Sequence, residues 1–346
     1  MPRAAGGRRS TIYDIAEATS ASPSTVSLVL NGSWTRYRIK EETAKRILKT
    51  AGELGYAVNM KARGLRLSRS GLAGMIIPHY RNRFFAGLAE AFEAESRKRG
   101  LCPIVVSGQR EEEVEANVTS TLLSQQVEFL FFAGVHNTSP LNALCHAAGI
   151  PCINIDLPGN DAPSVVTDNY GGAYALTENL LRKIKKRKAH PRDLFFLGGV
   201  PGEHATEQRL AGFRDAVAAS DLGTEPEVLC CGYRPSAAKE ALIEHFNSHG
   251  RMPGGLFINS ITTFEGLMQF SLLVPRSAMH HVSTVCSDWD PFGAHLPFDV
   301  TMTRQNVEAL IAEGYALVDN YTPGQNPVVV VPPEFAPSQE KETIWR

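Results

Sequence analysis

The stretch Asp14 to Gly32, DIAEATSASPSTVSLVLNG, decides how the N-terminal part of this 346-residue chain is read. Its second half carries β-branched Thr25, Val26 and Val29 and closes on Asn31-Gly32, the strongest short hairpin signal. Those residues alone leave a strand entering a tight turn and a short helix both open. Ser22 and Pro23 favour the helix. Ser22 is a good N-cap, and Pro23 then takes the first helical position, where its missing N–H costs nothing. Val26, Val29 and Leu30 recur at i, i+3 and i+4 on one helical face. The stretch is therefore predicted to hold a helix that ends at Asn31-Gly32.

The flanks agree. Ile12, Ile15 and Ala16 share one face of a helix over 12–18. Ala44, Ile47, Leu48, Ala51 and Leu54 form a stripe over 41–55, with Glu41 and Glu42 in the first turn and Gly55 as C-cap. Two helices joined by the short turn TSAS and followed by a third make a helix-turn-helix, whose second helix enters the DNA major groove by its N-terminal residues. Charge points the same way. Residues 1–70 hold 13 Lys/Arg and five Asp/Glu, a net +8, while the remainder is −9 and the whole chain −1. A small basic module joined to a larger acidic one suggests a polyanion reader attached to something else.

From Gly71 the pattern changes. Short apolar runs (GLAGMIIP, CPIVV, FLFFAG, CINID, SVVTD, DLFFLGG, EVLCC, GLFIN, STVCSD, DVTMT and VVVVP) alternate with amphipathic helical stretches. That alternation predicts parallel sheets covered by helices on both faces, and its length predicts two similar α/β lobes. No phosphate-loop or dinucleotide fingerprint follows any run, and no H-E-x-x-H set occurs, so no cofactor, metal or catalytic group is expected. The six cysteines show no C-x-x-C spacing and read as reduced thiols. No apolar run is long enough to span a bilayer, and no apolar segment follows the basic MPRAAGGRRS to make a secretory signal.

TIYDIAEATSASPSTVSLVLNG and ETAKRILKTAGELGYAVNMKARGLRLSRS resemble the headpiece and hinge of the lactose/galactose-repressor (LacI/GalR) family of bacterial transcription regulators. The rest of the chain resembles that family's effector domain, which is similar to periplasmic sugar-binding proteins. The link NGSWTRYRIKEET resembles that of the fructose- and sucrose-repressor branch. The resemblance implies an all-α helix-turn-helix headpiece (1–58), a hinge helix and linker (59–70), and a two-lobed α/β effector-binding and dimerisation domain with parallel sheets (71–346). The N-lobe is expected at about 71–167 and 303–324, and the C-lobe at about 168–302 and 325–340.

The resemblance places Pro23, Ser24 and Leu28 against base edges. Only Ser24 can hydrogen-bond, so thymine methyls and DNA shape would carry much of the readout. Tyr13, Ser22, Thr25, Ser27 and Asn31 would hold phosphates or the fold, and Arg36 and Arg38 in the lengthened link would reach backbone phosphates or a guanine, phosphate being preferred. Within 59–67, Asn59 and Arg63 would belong to a hinge helix that folds on the operator, and Leu65 would wedge into the minor groove. The implied partner is palindromic operator DNA bound by a homodimer, in a bacterial cytoplasm and on the nucleoid.

Ligands in such sheets bind beyond the carboxyl ends of strands. His79, Tyr80, Arg83 and Phe84 follow the first run, Asp156 follows CINID, Asn259 follows GLFIN, and Asp288 follows STVCSD. Arg304 and Gln305 follow DVTMT, and Arg209 lies on the helix ATEQRLAGF. The resemblance assigns Asp156, Arg209, Asn259 and Asp288 to sugar hydroxyls, each of which both donates and accepts. Arg83, Arg209 and Arg304 would suit a phosphorylated sugar, but the fructose-repressor branch often follows the Asp156 position with arginine, and here it is Leu157. Sugar and sugar phosphate both stay open. The function implied is a DNA-binding regulator of carbohydrate metabolism, acting as a repressor, whose effector alters lobe closure and headpiece spacing. The alternatives are a sugar-binding transport receptor, which would lack the basic headpiece, and a sugar-acting α/β enzyme, which would need a nucleophile–base set.

Overall fold

The computed structural model describes residues 10–56, 69–186, 193–223, 225–296 and 298–336. Two compact units divide the chain, Met1–Ser70 and Gly71–Arg346.

The first unit has helices α1 (Ile12–Thr19), α2 (Pro23–Leu30) and α3 (Glu41–Glu53). A capping box starts α1, with Thr11 Oγ1 accepting from Asp14 N and Asp14 Oδ2 accepting from Thr11 N. Ser22 caps α2 by accepting from Thr25 N at 3.1 Å, and Pro23 opens the helix. Asn31 and Gly32 end it. Gly32 sits at φ +72°, and Ser33 N donates back to Leu28 O at 3.0 Å, so the pair terminates a helix and turns no hairpin. Ile15, Val26 and Ile47 are fully buried and pack with Val29, Ala44 and Ala51. Burial of side chains this size contributes about 1.5–3 kcal/mol each, which is how a β-branched octapeptide is held helical. Leu48 and Leu54, expected on the same stripe, are exposed, because two short helices cover only the narrow Ala44, Ile47, Ala51 seam.

In the second unit β1 (Leu72–Ile77), α4 (Arg83–Lys98), β2 (Cys102–Ser107), α5 (Glu112–Ser124), β3 (Leu130–Ala133), α6 (Thr138–Ala148), β4 (Cys152–Ile155) and β5 (Ser164–Thr167) build most of one lobe. Next come α7 (Asn169–Lys186), β6 (Leu194–Leu197), α8 (His204–Ala218), β7 (Glu227–Leu229), α9 (Pro235–His249), β8 (Gly255–Ile258), α10 (Ile261–Ser271), α11 (Arg276–Met279), β9 (Ser283–Cys286) and β10 (Val300–Arg304), which build the other. The chain then returns with α12 (Val307–Asp319), β11 (Val328–Val331) and β12 (Glu334–Phe335).

The two six-stranded sheets run β11-β5-β4-β3-β1-β2 and β12-β10-β9-β8-β6-β7. Every pairing is parallel except β10 with β12. Both sheets reverse their strand order beside their first strand, which opens a ligand crevice at the strands' carboxyl ends. The expected lobe boundaries need correction at the third crossing. Val328 pairs with Ser164, so β11 belongs to the N-lobe, while Thr303 and Arg304 finish a C-lobe strand. A bare run of valines carries no mark of which sheet it will join.

The N-lobe core centres on Phe92, Phe129, Phe131 and Tyr315, whose rings lie 5.3–6.4 Å apart. The chain crosses between lobes at Thr167–Asn169, Arg304–Val307 and Val331–Glu334. Thr167 Oγ1 donates to Gln305 Oε1 at 2.7 Å, and Asn306 Nδ2 donates to Glu334 Oε1 at 3.1 Å, tying the crossings together. All six cysteines are free, with Cys145, Cys152 and Cys286 buried. Among the described residues no helix is long and apolar enough to cross a membrane.

Candidate functional site

Two surfaces have the chemistry for binding. The first is the outer face of α2. Pro23 and Ser24 are exposed and Leu28 is half-buried, while Val26 and Val29 on the opposite face are buried. Several of the neighbouring hydroxyls and amides serve the helix itself. Ser22 Oγ lies 2.8 Å from Thr25 Oγ1, and Asn31 Nδ2 donates to Ser27 O at 2.6 Å. Tyr13 is 73% exposed, and Arg36 and Arg38 stand out from the turn after α2 with no ion pair among the described residues. Trp34 and Ile39 anchor that turn on the small core, joined by Ile39 N donating to Trp34 O at 2.9 Å. Asn59, Arg63 and Leu65 lie outside the described residues.

The second surface is the cleft between the lobes. Its main cavity has a volume of about 600 Å³ and is lined from the N-lobe by His79, Arg81, Phe84, Arg110 and Asp156, and from the C-lobe by Glu203, Arg209, Tyr233, Arg234, Glu265 and Asp288. A side chamber of about 210 Å³ shares Phe84, Asp288 and Gln305 with it and adds Arg83, Trp289 and Arg304. Tyr80 and Asn259 line neither chamber. Tyr80 points away, donating to Val105 O at 2.8 Å. Asn259 is fully buried behind the wall, and its carbonyl accepts from Arg209 Nη1 at 2.6 Å. A polar residue after a strand turns inward or outward, and sequence does not distinguish the two.

Asp156 ends β4 in the left-handed region, at φ +63°, where side chains other than glycine are uncommon. Its Oδ1 is sealed from solvent and has no hydrogen-bond partner. Burial pushes its carboxyl up to about 7, against the pull of Arg209 and with the help of Asp288 and Glu203. Arg209, itself 5% exposed, donates from Nε to Asn169 Oδ1 at 2.8 Å and from Nη1 to Asn259 O. Asp288 accepts from Gln305 Nε2 at 3.0 Å and from Ile261 N at 3.1 Å. Arg209 is thus bonded to the C-lobe frame, and Asp288 reaches through Gln305 to the crossings.

Two ion pairs bridge the cleft. Arg83 Nε meets Asp290 Oδ2 at 2.9 Å, and Arg110 Nη1 meets Glu203 Oε1 at 3.2 Å. Glu203 also accepts from Tyr233 OH and from Thr206 Oγ1, and the Arg110 guanidinium stands 5.6 Å from the Tyr233 ring centroid. Burial, then the Glu203 charge, raises the Tyr233 phenol. Burial, then Arg110 and Arg81, lowers the His79 imidazole. Arg81, Arg110, Arg209 and Arg234 face Asp156, Glu203, Glu265 and Asp288, so the main cavity is formally balanced in charge. Arg110, Glu203, Tyr233 and Arg234 are not among the residues expected from sequence. Arg110 and Glu203 lie in the loops after β2 and β6, so extending the strand-end rule to every strand finds both.

Residues 11–59 match the family description of bacterial regulatory proteins of the lacI family, and residues 73–265 match that of a periplasmic binding protein domain. The chain is 44% identical over 192 residues to the ribitol operon repressor of Klebsiella aerogenes, covering 56% of this chain and 71% of that one. It is 28% identical over 329 residues to the sucrose operon repressor of Klebsiella pneumoniae, covering 92% and 94%. Its fold is similar to the lac repressor dimer bound to operator and the anti-inducer ONPF, with a TM-score of 0.78 at 17% identity, over 95% of this chain and 98% of that one.

Proposed function

Because this chain belongs to the lacI family of bacterial regulatory proteins, a DNA-binding headpiece joined to a periplasmic-binding-protein domain, we propose that it represses genes of carbohydrate use under the control of an uncharged acyclic polyol of the ribitol kind. The carrying observation is the cleft's charge balance. Arg83 is paired by Asp290, Arg110 by Glu203, and Arg209 is held by Asn169 and Asn259, so none of these three is left to fork onto a phosphate, and the two exposed arginines that remain in the main cavity, Arg81 and Arg234, share it with Asp156, Glu265 and Asp288. The partnerless Asp156 Oδ1 instead asks for a hydroxyl donor. The name of the ribitol operon repressor supports the same class.

In this reading the polyol contacts both lobes and favours the closed arrangement in which the two ion pairs form. An effector changes DNA affinity only through its differential affinity for the two states. Two headpieces, one from each protomer of a homodimer, read the half-sites of a palindrome with the N-terminal end of α2, in the cytoplasm and on the nucleoid. Calorimetric titration of the dialysed protein with ribitol and with ribitol 5-phosphate tests the effector class. Binding of ribitol at least tenfold tighter is expected, and tighter binding of the phosphate overturns the reading. Gel shifts on palindromic DNA flanking the protein's own gene, with and without ribitol, test the regulation. Absence of any protected palindrome overturns it.

A further inference from the structure

At the end of the C-lobe away from the cleft, Glu227, His245 and His249 offer one donor atom each, all within 4.8 Å of one another. We propose that these three side chains form a binding site for a divalent transition-metal ion of the zinc class. His245 and His249 come from HFNSH at the end of α9, where the i, i+4 spacing puts both imidazoles on one face, and Glu227 starts the edge strand β7.

The two imidazoles stack on each other, with centroids 4.3 Å apart and planes 23° apart, so a shared ion requires the exposed His249 ring to turn toward His245 and Glu227. His249 Nδ1 lies 3.0 Å from the His245 carbonyl, which can only accept, so Nδ1 carries the proton and the Nε2 lone pair faces outward. A backbone carbonyl fixing the tautomer in this way is the usual outer support of a metal-bound histidine. His245 is 7% exposed, yet neither ring nitrogen has a hydrogen-bond partner. Its Nδ1 stands 3.1 Å from Glu227 Oε2 without hydrogen-bond alignment. Two ligands bound at roughly 2.0–2.1 Å to one ion stand about 2.9–3.4 Å apart, so this separation suits a shared cation. Stacking on Phe195, with centroids 4.9 Å apart, holds the His245 ring.

Glu227 and His249 are exposed, so an ion can reach the site and water can complete its coordination. Two imidazoles and one carboxylate suit zinc, nickel or cobalt over calcium or magnesium. Binding would tie the edge strand β7 to the end of α9.

The test is calorimetric titration of the chelator-treated, dialysed full chain with zinc sulfate, repeated on Glu227→Gln and His249→Ala. Both positions are exposed, so both variants are expected to fold, with circular dichroism as the check. The expected result is a zinc equivalent per chain that weakens at least tenfold in each variant, together with a zinc-dependent rise in melting temperature that both variants lose. Zinc binding at wild-type strength in either variant, or no saturable binding by the wild type, overturns the proposal.

Discussion

Arg110, in the loop after β2, reaches across the cleft to Glu203 at the start of α8, with 3.2 Å between Nη1 and Oε1. The loop is bent to allow this, since Gln109 and Arg110 both take positive φ, +58° and +59°. Two successive side chains in that region store strain, which a closed cleft offsets. Arg110→Ala and Glu203→Gln are each expected to weaken ribitol binding by about two- to fivefold, the scale of a partly exposed ion pair. The double variant should lose little more than either single one, because the two share one interaction. Calorimetric titration checks this, and fully additive losses would refute the pairing.

Asp156 gives the cleft a pH dependence. With its carboxyl at about 7 in the folded protein and 3.8 as the ordinary value, the folded state holds more protons than the unfolded state between those limits. Stability of the ligand-free protein therefore falls as pH rises from about 4 to about 7, by at most about 4 kcal/mol. Asp156→Asn should remove that slope and melt higher than wild type at pH 8, the advantage vanishing toward pH 4. A polyol hydroxyl donating to the ionised carboxylate makes wild-type affinity rise between pH 6 and 8, with proton release on binding. Calorimetry in buffers of different ionisation enthalpy reads both effects.

On the headpiece, Arg36 and Ser24 should separate phosphate from base contacts. Arg36→Ala is expected to weaken binding to every DNA alike and to reduce the salt slope by about 1. Ser24→Ala should leave that slope unchanged and alter affinity at the operator only. Fluorescence anisotropy over a salt series distinguishes them, and an unchanged slope for Arg36→Ala would remove it from the phosphate contacts.

Two glycines should respond with opposite signs. A Cβ at Gly212 on α8 would overlap the Tyr170 carbonyl of α7, so Gly212→Ala should destabilise the large unit by about 1–3 kcal/mol. At Gly52 in α3 nothing lies within 4 Å of the added atom, and Gly52→Ala should stabilise the headpiece by about 0.5–1 kcal/mol. Urea denaturation of each variant measures both.

The headpiece helices were legible because Ser22-Pro23 fixes a start that β-propensity alone would have denied. The strands were legible because a parallel sheet covered on both faces demands unbroken apolar runs such as LFFA and LFFL, both fully buried. The cleft was only partly legible. Asp156 and Asp288 follow strand ends and Arg209 lies in the second turn of α8, and all three face the cavity, but Asn259, also just after a strand, faces inward. Arg110 escaped notice because the strand-end rule was not extended to β2, although its reach across the cleft also depends on two positive backbone angles at Gln109 and Arg110. β11 was misassigned because sheet membership at the end of the chain is settled by the crossings, not by the run of valines itself.

Neither lobe is a continuous piece of chain, and this orders events during synthesis. The C-lobe has all but its two-residue edge strand β12 once Arg304 has been made. The N-lobe, although begun first, lacks Leu310, Ile311, Tyr315 and Val331 of its core until nearly the whole chain has emerged from the ribosome. The second-made lobe is therefore ready to fold before the first-made one. A nascent chain halted near residue 305 would carry an unfinished hydrophobic face on the N-lobe, where a chaperone or a protease would find it.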